Sequence, residues 1–173
     1  DFVALAYEIG QTIKTELAAT EPDMKVEVDE TELPFGLMDE KTQQNLTKAV
    51  MAVPNGVVRM SDNMKGLVET STNLAVLKSD PEEKTIVASC LMRSSVDSAK
   101  AELAERIKAV FELAGAEVKF SGDYPGWKPN MNSPILKTMQ EVYNNKFGKI
   151  PEIKAIHAGL ECGLLGGVYP HMD

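Results

Sequence analysis

One stretch limits the possible folds more than any other. From Val68 to Lys78 the chain is rich in Val, Thr and Leu, and Lys84 to Ser94 forms a second strand-like run. Between them lies Ser79-Asp80-Pro81-Glu82, a set of residues that favours a turn. Two such runs joined by a turn predict an antiparallel hairpin. Ser95 or Asp97 can then open a long helix. Ala99, Leu103, Ile107, Val110, Phe111 and Ala114 recur on one face of it, and Gly115 suits its C-cap. Ala116 to Ser121 follows at once as a third strand, with Val118 and Phe120 alternating against Glu117 and Lys119. Strand, strand, helix, strand with short links predicts the α+β class. The specific expectation is an open-faced sandwich of mainly antiparallel sheet with helices covering one face.

The flanking segments fit the same plan. Phe2, Leu5, Ala6, Ile9, Ile13 and Leu17 mark one face of a first helix, which Glu21-Pro22-Asp23 ends. Met24, Val26 and Val28 alternate with charged residues and predict a half-buried strand. Asp39 can cap a second helix carrying Leu46, Ala49, Val50 and Val53, and Pro54-Asn55-Gly56 stops it. After Gly122 the grammar changes. Residues 122–129 have the composition of a boundary. Ser133-Pro134 then starts a helix with Leu136, Met139, Tyr143 and Phe147 on its apolar face, and Gly148 closes it. Ile150 to Ile156 reads as a short strand, and His157-Ala158-Gly159 turns into another helix near Leu160. Helix, strand, turn, helix is α/β grammar, so two domains are expected: 1–122, and a partial α/β segment at 123–173. Both ends look cut, because the chain opens directly in a helical pattern and stops where a further strand is expected.

Composition narrows the function classes. Hydrophobic residues at 43% allow a packed core, so disorder is not expected. A net charge of −8 repels phosphate backbones and argues against nucleic acid as a partner. No run of roughly 18 apolar residues could span a membrane, and no basic-then-apolar start marks a signal peptide. Cys90 and Cys162 lie in apolar surroundings, which fits buried reduced thiols in a cytoplasmic protein. There are only two histidines, His157 and His171, and no metal-binding spacing of His or Cys. No metal site is expected in this chain.

Three places could carry chemistry. In His157-Ala158-Gly159-Leu160-Glu161-Cys162-Gly163, glycine at a strand-to-helix turn lets a ligand approach the backbone, and the helix N-terminus attracts an anion. The same residues also suit a plain tight turn. Arg93 stands at a strand end among apolar neighbours, where it can hold a carboxylate through two hydrogen bonds or serve as an outward-facing charge or in a structural ion pair. Trp127 is the sole tryptophan, in the boundary stretch, and reads as a packing anchor or a ligand platform. Cys162 beside His157 could be drawn as a nucleophile pair, but its apolar helix favours an inert thiol.

The stretches Val53–Ser61, Gly66–Leu74, Cys90–Ser94, Phe120–Pro129 and Ile156–Leu164 closely resemble bacterial aminoacyl-histidine dipeptidases, also called Xaa-His dipeptidases or bacterial carnosinases, of the zinc aminoacylase/carboxypeptidase clan. The resemblance implies a two-domain metallopeptidase in which a lid, used for dimerisation in many relatives, is inserted into a catalytic domain with two zinc ions. Residues 1–122 then match the lid, and residues 123–173 match the return to the catalytic domain. The zinc ligands and the histidine that polarises the scissile carbonyl lie in motifs that this chain does not contain. The resemblance implies that Arg93 clamps the C-terminal carboxylate of a dipeptide substrate and that Gly159 meets it through backbone N–H. His157 and Glu161 take supporting roles, and no residue here is catalytic. The chain alone is then expected to be inactive; a non-catalytic dimerisation or binding module is the rival reading.

Overall fold

The computed structural model describes residues 1–34, 36–157 and 161–172. The chain forms two compact units, Asp1–Leu37 and Met38–Asp173.

In the first unit Asp1 caps helix α1 (Phe2–Glu16) by accepting the Val3 N–H at 3.1 Å. Gly10 is its buried residue, because a Cβ there would sit 2.6 Å from Val26 Cγ1. The missing side chain is what lets the following segment lie against the helix. Met24, Val26 and Val28 are half-buried and alternate with exposed neighbours, as the pattern predicts. They are not a β-strand, however, since no described strand lies beside them to supply a ladder.

The second unit holds the sandwich. Helix α2 (Glu40–Ala52) starts at Asp39, which accepts the Thr42 N–H at 3.0 Å and its hydroxyl at 2.6 Å. These bonds hold the Asp39 carboxyl below its ordinary range. Strands β1 (Gly56–Met60), β2 (Val68–Asp80) and β3 (Thr85–Ser94) form an antiparallel sheet in the order β1-β2-β3. The hairpin is β2–β3, as the sequence predicts. Strand β1 was not anticipated. It pairs with Val68–Thr72 of β2, with irregular register around Arg59; just beyond, Asn55 accepts the Leu74 N–H at 2.8 Å, and the β2–β3 register shifts between Leu74 and Val76.

Helix α3 (Asp97–Leu113) lies across the sheet. Its Leu103, Ile107 and Phe111 join Ala49 and Val53 of the α2 segment in the core, against Leu74, Ala88, Cys90 and Met92 of the sheet. Leu103 is only 1% exposed, so truncating it to alanine costs about 2–5 kcal/mol. Val96 is the N-cap and makes no side-chain bond, so neither Ser95 nor Asp97 acts as the expected cap. At the far end Gly115 adopts φ 84°, while the N–H groups of Gly115 and Ala116 close on the carbonyls of Glu112 and Phe111. That is the glycine-terminated helix end the sequence predicts, one residue beyond the Ala114 cap.

Residues 116–121 form no strand; Val118 packs on the core, but no ladder bonds form among the described residues. Residues 150–156 behave alike, with Pro151, Ile153 and Ala155 half-buried and no strand beside them. Helix α4 (Pro134–Phe147) runs between the Ser133 N-cap and Gly148 in the left-handed region. Its expected apolar face is largely uncovered: Met139 and Phe147 are exposed and Leu136 is half-buried. Helix α5 (Glu161–Val168) closes the unit. No helix among the described residues is long and apolar enough to cross a membrane.

Candidate functional site

Alternation along β3 decides which side chains face the helices. Cys90 and Met92 pack on the core, so Leu91 and Arg93 point to the opposite, open face. Ser71 is the cross-strand partner of Arg93 and shares that face. His157 docks on this pair. Its Nε2 lies 2.7 Å from Ser71 Oγ, and its backbone carbonyl accepts from Arg93 Nη1 at 3.4 Å. Burial and the neighbouring Arg93 charge push the His157 pKa below its ordinary value, against a hydrogen bond to the Val68 backbone that acts the other way. The imidazole is therefore neutral at physiological pH.

Arg93 differs from the other well-placed cations. Arg59 pairs with the buried Glu69, and Lys100 pairs with Asp123 at 2.6 Å and Asp97 at 3.5 Å. Arg93 has no carboxylate partner among the described residues. A guanidinium carries five N–H donors, and the one contact to His157 leaves the rest available.

Beside Arg93 lies a cleft of about 300 Å³. Val68 and Arg93 contribute from the sheet, Pro125 and Trp127 from the 122–129 stretch that crosses over from the α3 side to α4 (the crossover), and Lys154 and His157 from the segment before α5. No Asp or Glu lines it among the described residues, although the chain carries a net charge of −8. Among the described residues the cations in the lining are Arg93 and Lys154, and Lys154 pairs with Glu152 at 2.7 Å.

The crossover wall is held by a polar node at the start of α3. The Asp97 carboxylate, free of capping duty, accepts the Gly126 N–H at 2.7 Å. Lys100 donates to the Tyr124 carbonyl and stands 5.6 Å from the Tyr124 ring centre. Burial works against the Lys100 charge, but Asp123 and Asp97 outweigh it and raise its pKa. Gly126 is pressed against the end of β3: a Cβ would meet the Ser95 carbonyl carbon and oxygen at 2.7 Å. Gly163 of α5 is similarly close, with Pro125 O at 3.0 Å from where a Cβ would lie.

The structure thus brings two of the expected site residues, Arg93 and His157, together. Gly159 lies outside the described residues. Glu161 opens α5 and is exposed, away from the cleft lining. Cys162 is exposed rather than buried, which corrects the expectation of a buried thiol, and the His157 ring bonds Ser71 instead. Trp127 is 42% exposed and lines the cleft. Sequence reasoning missed Ser71, although the hairpin register opposite Arg93 could have located it. Lys154 carried no such signal. Among the described residues no three His, Cys, Asp or Glu side chains converge to hold a metal ion.

The chain is a homologue of two known dipeptidases. It is 38% identical over 163 residues to the cytosol non-specific dipeptidase of Escherichia coli (strain K12). The crystal structure of aminoacylhistidine dipeptidase from Vibrio alginolyticus superposes with a TM-score of 0.85 at 41% identity. Each match covers 94% of this chain, and the chain spans 33% of the length of each relative. No family model matches.

Proposed function

We propose that this chain is the lid and catalytic-domain return of a cytoplasmic, metal-dependent dipeptidase acting on Xaa-His dipeptides, with residues 1–122 as lid and 123–173 as part of the catalytic domain. Its own task is to recognise the free C-terminal carboxylate of the substrate. The observation that carries the reading is Arg93, a cation with unused donors beside a cleft without acidic residues. Similarity to two dipeptidases over nearly the whole chain supports it. The neutral His157 adds no second charge; its ring is tethered to Ser71 while its carbonyl steadies the guanidinium. Gly159 then offers backbone N–H to the same carboxylate, with Glu161 in support. In this reading the two zinc ions implied by the resemblance are held by motifs that this chain does not contain, and the chain alone does not turn over substrate. The whole protein is a homodimer in this reading, consistent with outer edges of β1 and β3 that no described strand covers.

The experiment is Arg93→Ala in the full-length protein. Loss of a charge-assisted carboxylate bond costs about 1.5–3 kcal/mol, roughly ten- to a hundredfold in kcat/KM, expressed mainly in KM. Amidated dipeptides lack the carboxylate and should show little additional loss. Equal losses on free and amidated substrates would refute the clamp.

A further inference from the structure

The cleft beside Arg93 has a shape and lining that a bare carboxylate does not need. A substrate side chain branches from the carbon next to its carboxylate, so a C-terminal residue held by Arg93 must place that side chain close by. The concave space beside Arg93 is this cleft. Its walls are mostly apolar: Leu67, Val68, Pro125, Pro129 and Ile156, with the partly exposed Trp127 ring among them. Once a carboxylate has neutralised Arg93, the remaining cation is Lys154, already paired with Glu152. A neutral apolar or flat side chain would lose water against these walls and gain contact. A basic side chain would be desolvated with no carboxylate in the lining to receive it.

We propose that this cleft takes the side chain of the substrate's C-terminal residue and that it favours neutral apolar and aromatic side chains over basic ones, with Trp127 and Lys154 as specificity determinants. The proposal rests on the reading of Arg93 as the carboxylate clamp. It differs from that reading in what it governs: Arg93 sets whether a free carboxylate is recognised, whereas the cleft sets which C-terminal residue follows it.

The test uses the full-length protein with four dipeptides sharing an N-terminal alanine: alanyl-glycine, alanyl-leucine, alanyl-phenylalanine and alanyl-lysine. Every result is read as a ratio of kcat/KM values within one enzyme preparation, so the fraction of correctly folded protein cancels. In the unaltered enzyme the leucine and phenylalanine substrates should exceed the lysine substrate by roughly tenfold or more. Trp127→Ala should lower leucine and phenylalanine relative to glycine by roughly tenfold. Lys154→Glu places a carboxylate at the wall and should raise lysine relative to leucine by roughly three- to fivefold. A shift of either variant in the stated direction supports the cleft. If the unaltered enzyme treats leucine and lysine alike, or if neither variant moves its ratio, the assignment is overturned. That failure is separable from failure of the clamp, which the free-versus-amidated comparison on Arg93→Ala decides on its own.

Discussion

Gly126→Ala probes the join between the sheet and the crossover. The added methyl would lie 2.7 Å from the carbonyl carbon and oxygen of Ser95 and 3.1 Å from the Ser94 oxygen. These are backbone atoms, not the free ends of side chains, so they cannot swing away. The 2.7 Å contact is about 0.7 Å inside the distance where ordinary contact begins, and either the crossover or the end of β3 must shift by that much. The crossover is tied by the Asp97 bond to the Gly126 N–H, and β3 is tied by the Ser95 N–H to the Glu69 carbonyl at 3.2 Å. Overpacking against such tethered backbone costs about 1–3 kcal/mol. About 2 kcal/mol lowers the melting temperature of a domain this size by roughly 4–8 °C. The assay is thermal unfolding of the chain followed by circular dichroism, with Gly166→Ala as the control. Gly166 lies inside α5 with nothing near its Cβ position, so alanine there should be neutral or stabilise by roughly 0.5–1 kcal/mol. If both variants melt together at or above the parent temperature, the packing argument at Gly126 is wrong.

Two further outcomes follow from the titrating groups. The folded pKa of His157 lies below its ordinary 6.5, so its stabilising contribution is complete above pH 6.5 and declines as pH falls from there through the folded pKa. An NMR titration of the ring should show a midpoint below 6.5, and Arg93→Ala should move it upward by removing the neighbouring charge; an unmoved midpoint would count against the contact. Burial raises the Cys90 thiol pKa, whereas Cys162 is exposed, so a thiol reagent added to the native chain should label Cys162 first, and mass spectrometry showing Cys90 labelled first would contradict the fold.

Much of the local structure was legible in the sequence because it is set by near neighbours. The Asp39 and Ser133 caps, the Gly115 and Gly148 helix ends and the β2–β3 hairpin all follow from side chains meeting backbone a few residues away. The buried face of α3 was readable too, since helical spacing alone puts Leu103, Ile107 and Phe111 on one side. Alternation correctly marked half-buried positions at Met24–Val28 and at Val118, but Phe120 is exposed, and neither these segments nor Ile150–Ile156 form a ladder among the described residues. A strand is a relation between two segments, and one segment's pattern cannot supply its partner. Strand β1 was missed for the converse reason: Gly56–Met60 has no buried face, and it is a strand because β2 lies beside it.

The site divides in the same way. Arg93 and His157 could be singled out as chemically capable, and their motifs carried the resemblance to dipeptidases. Their sequence separation of 64 residues conceals that they touch. The contact exists because β3 alternation turns Arg93 away from the core while Asp97 and the bare backbone of Gly126 draw the returning chain over that face. Which groups could bind an anion was readable from the residues alone, because charge and donor number belong to single residues. That Arg93 meets no carboxylate among the described residues is a matter of tertiary folding, because it depends on where those carboxylates come to rest.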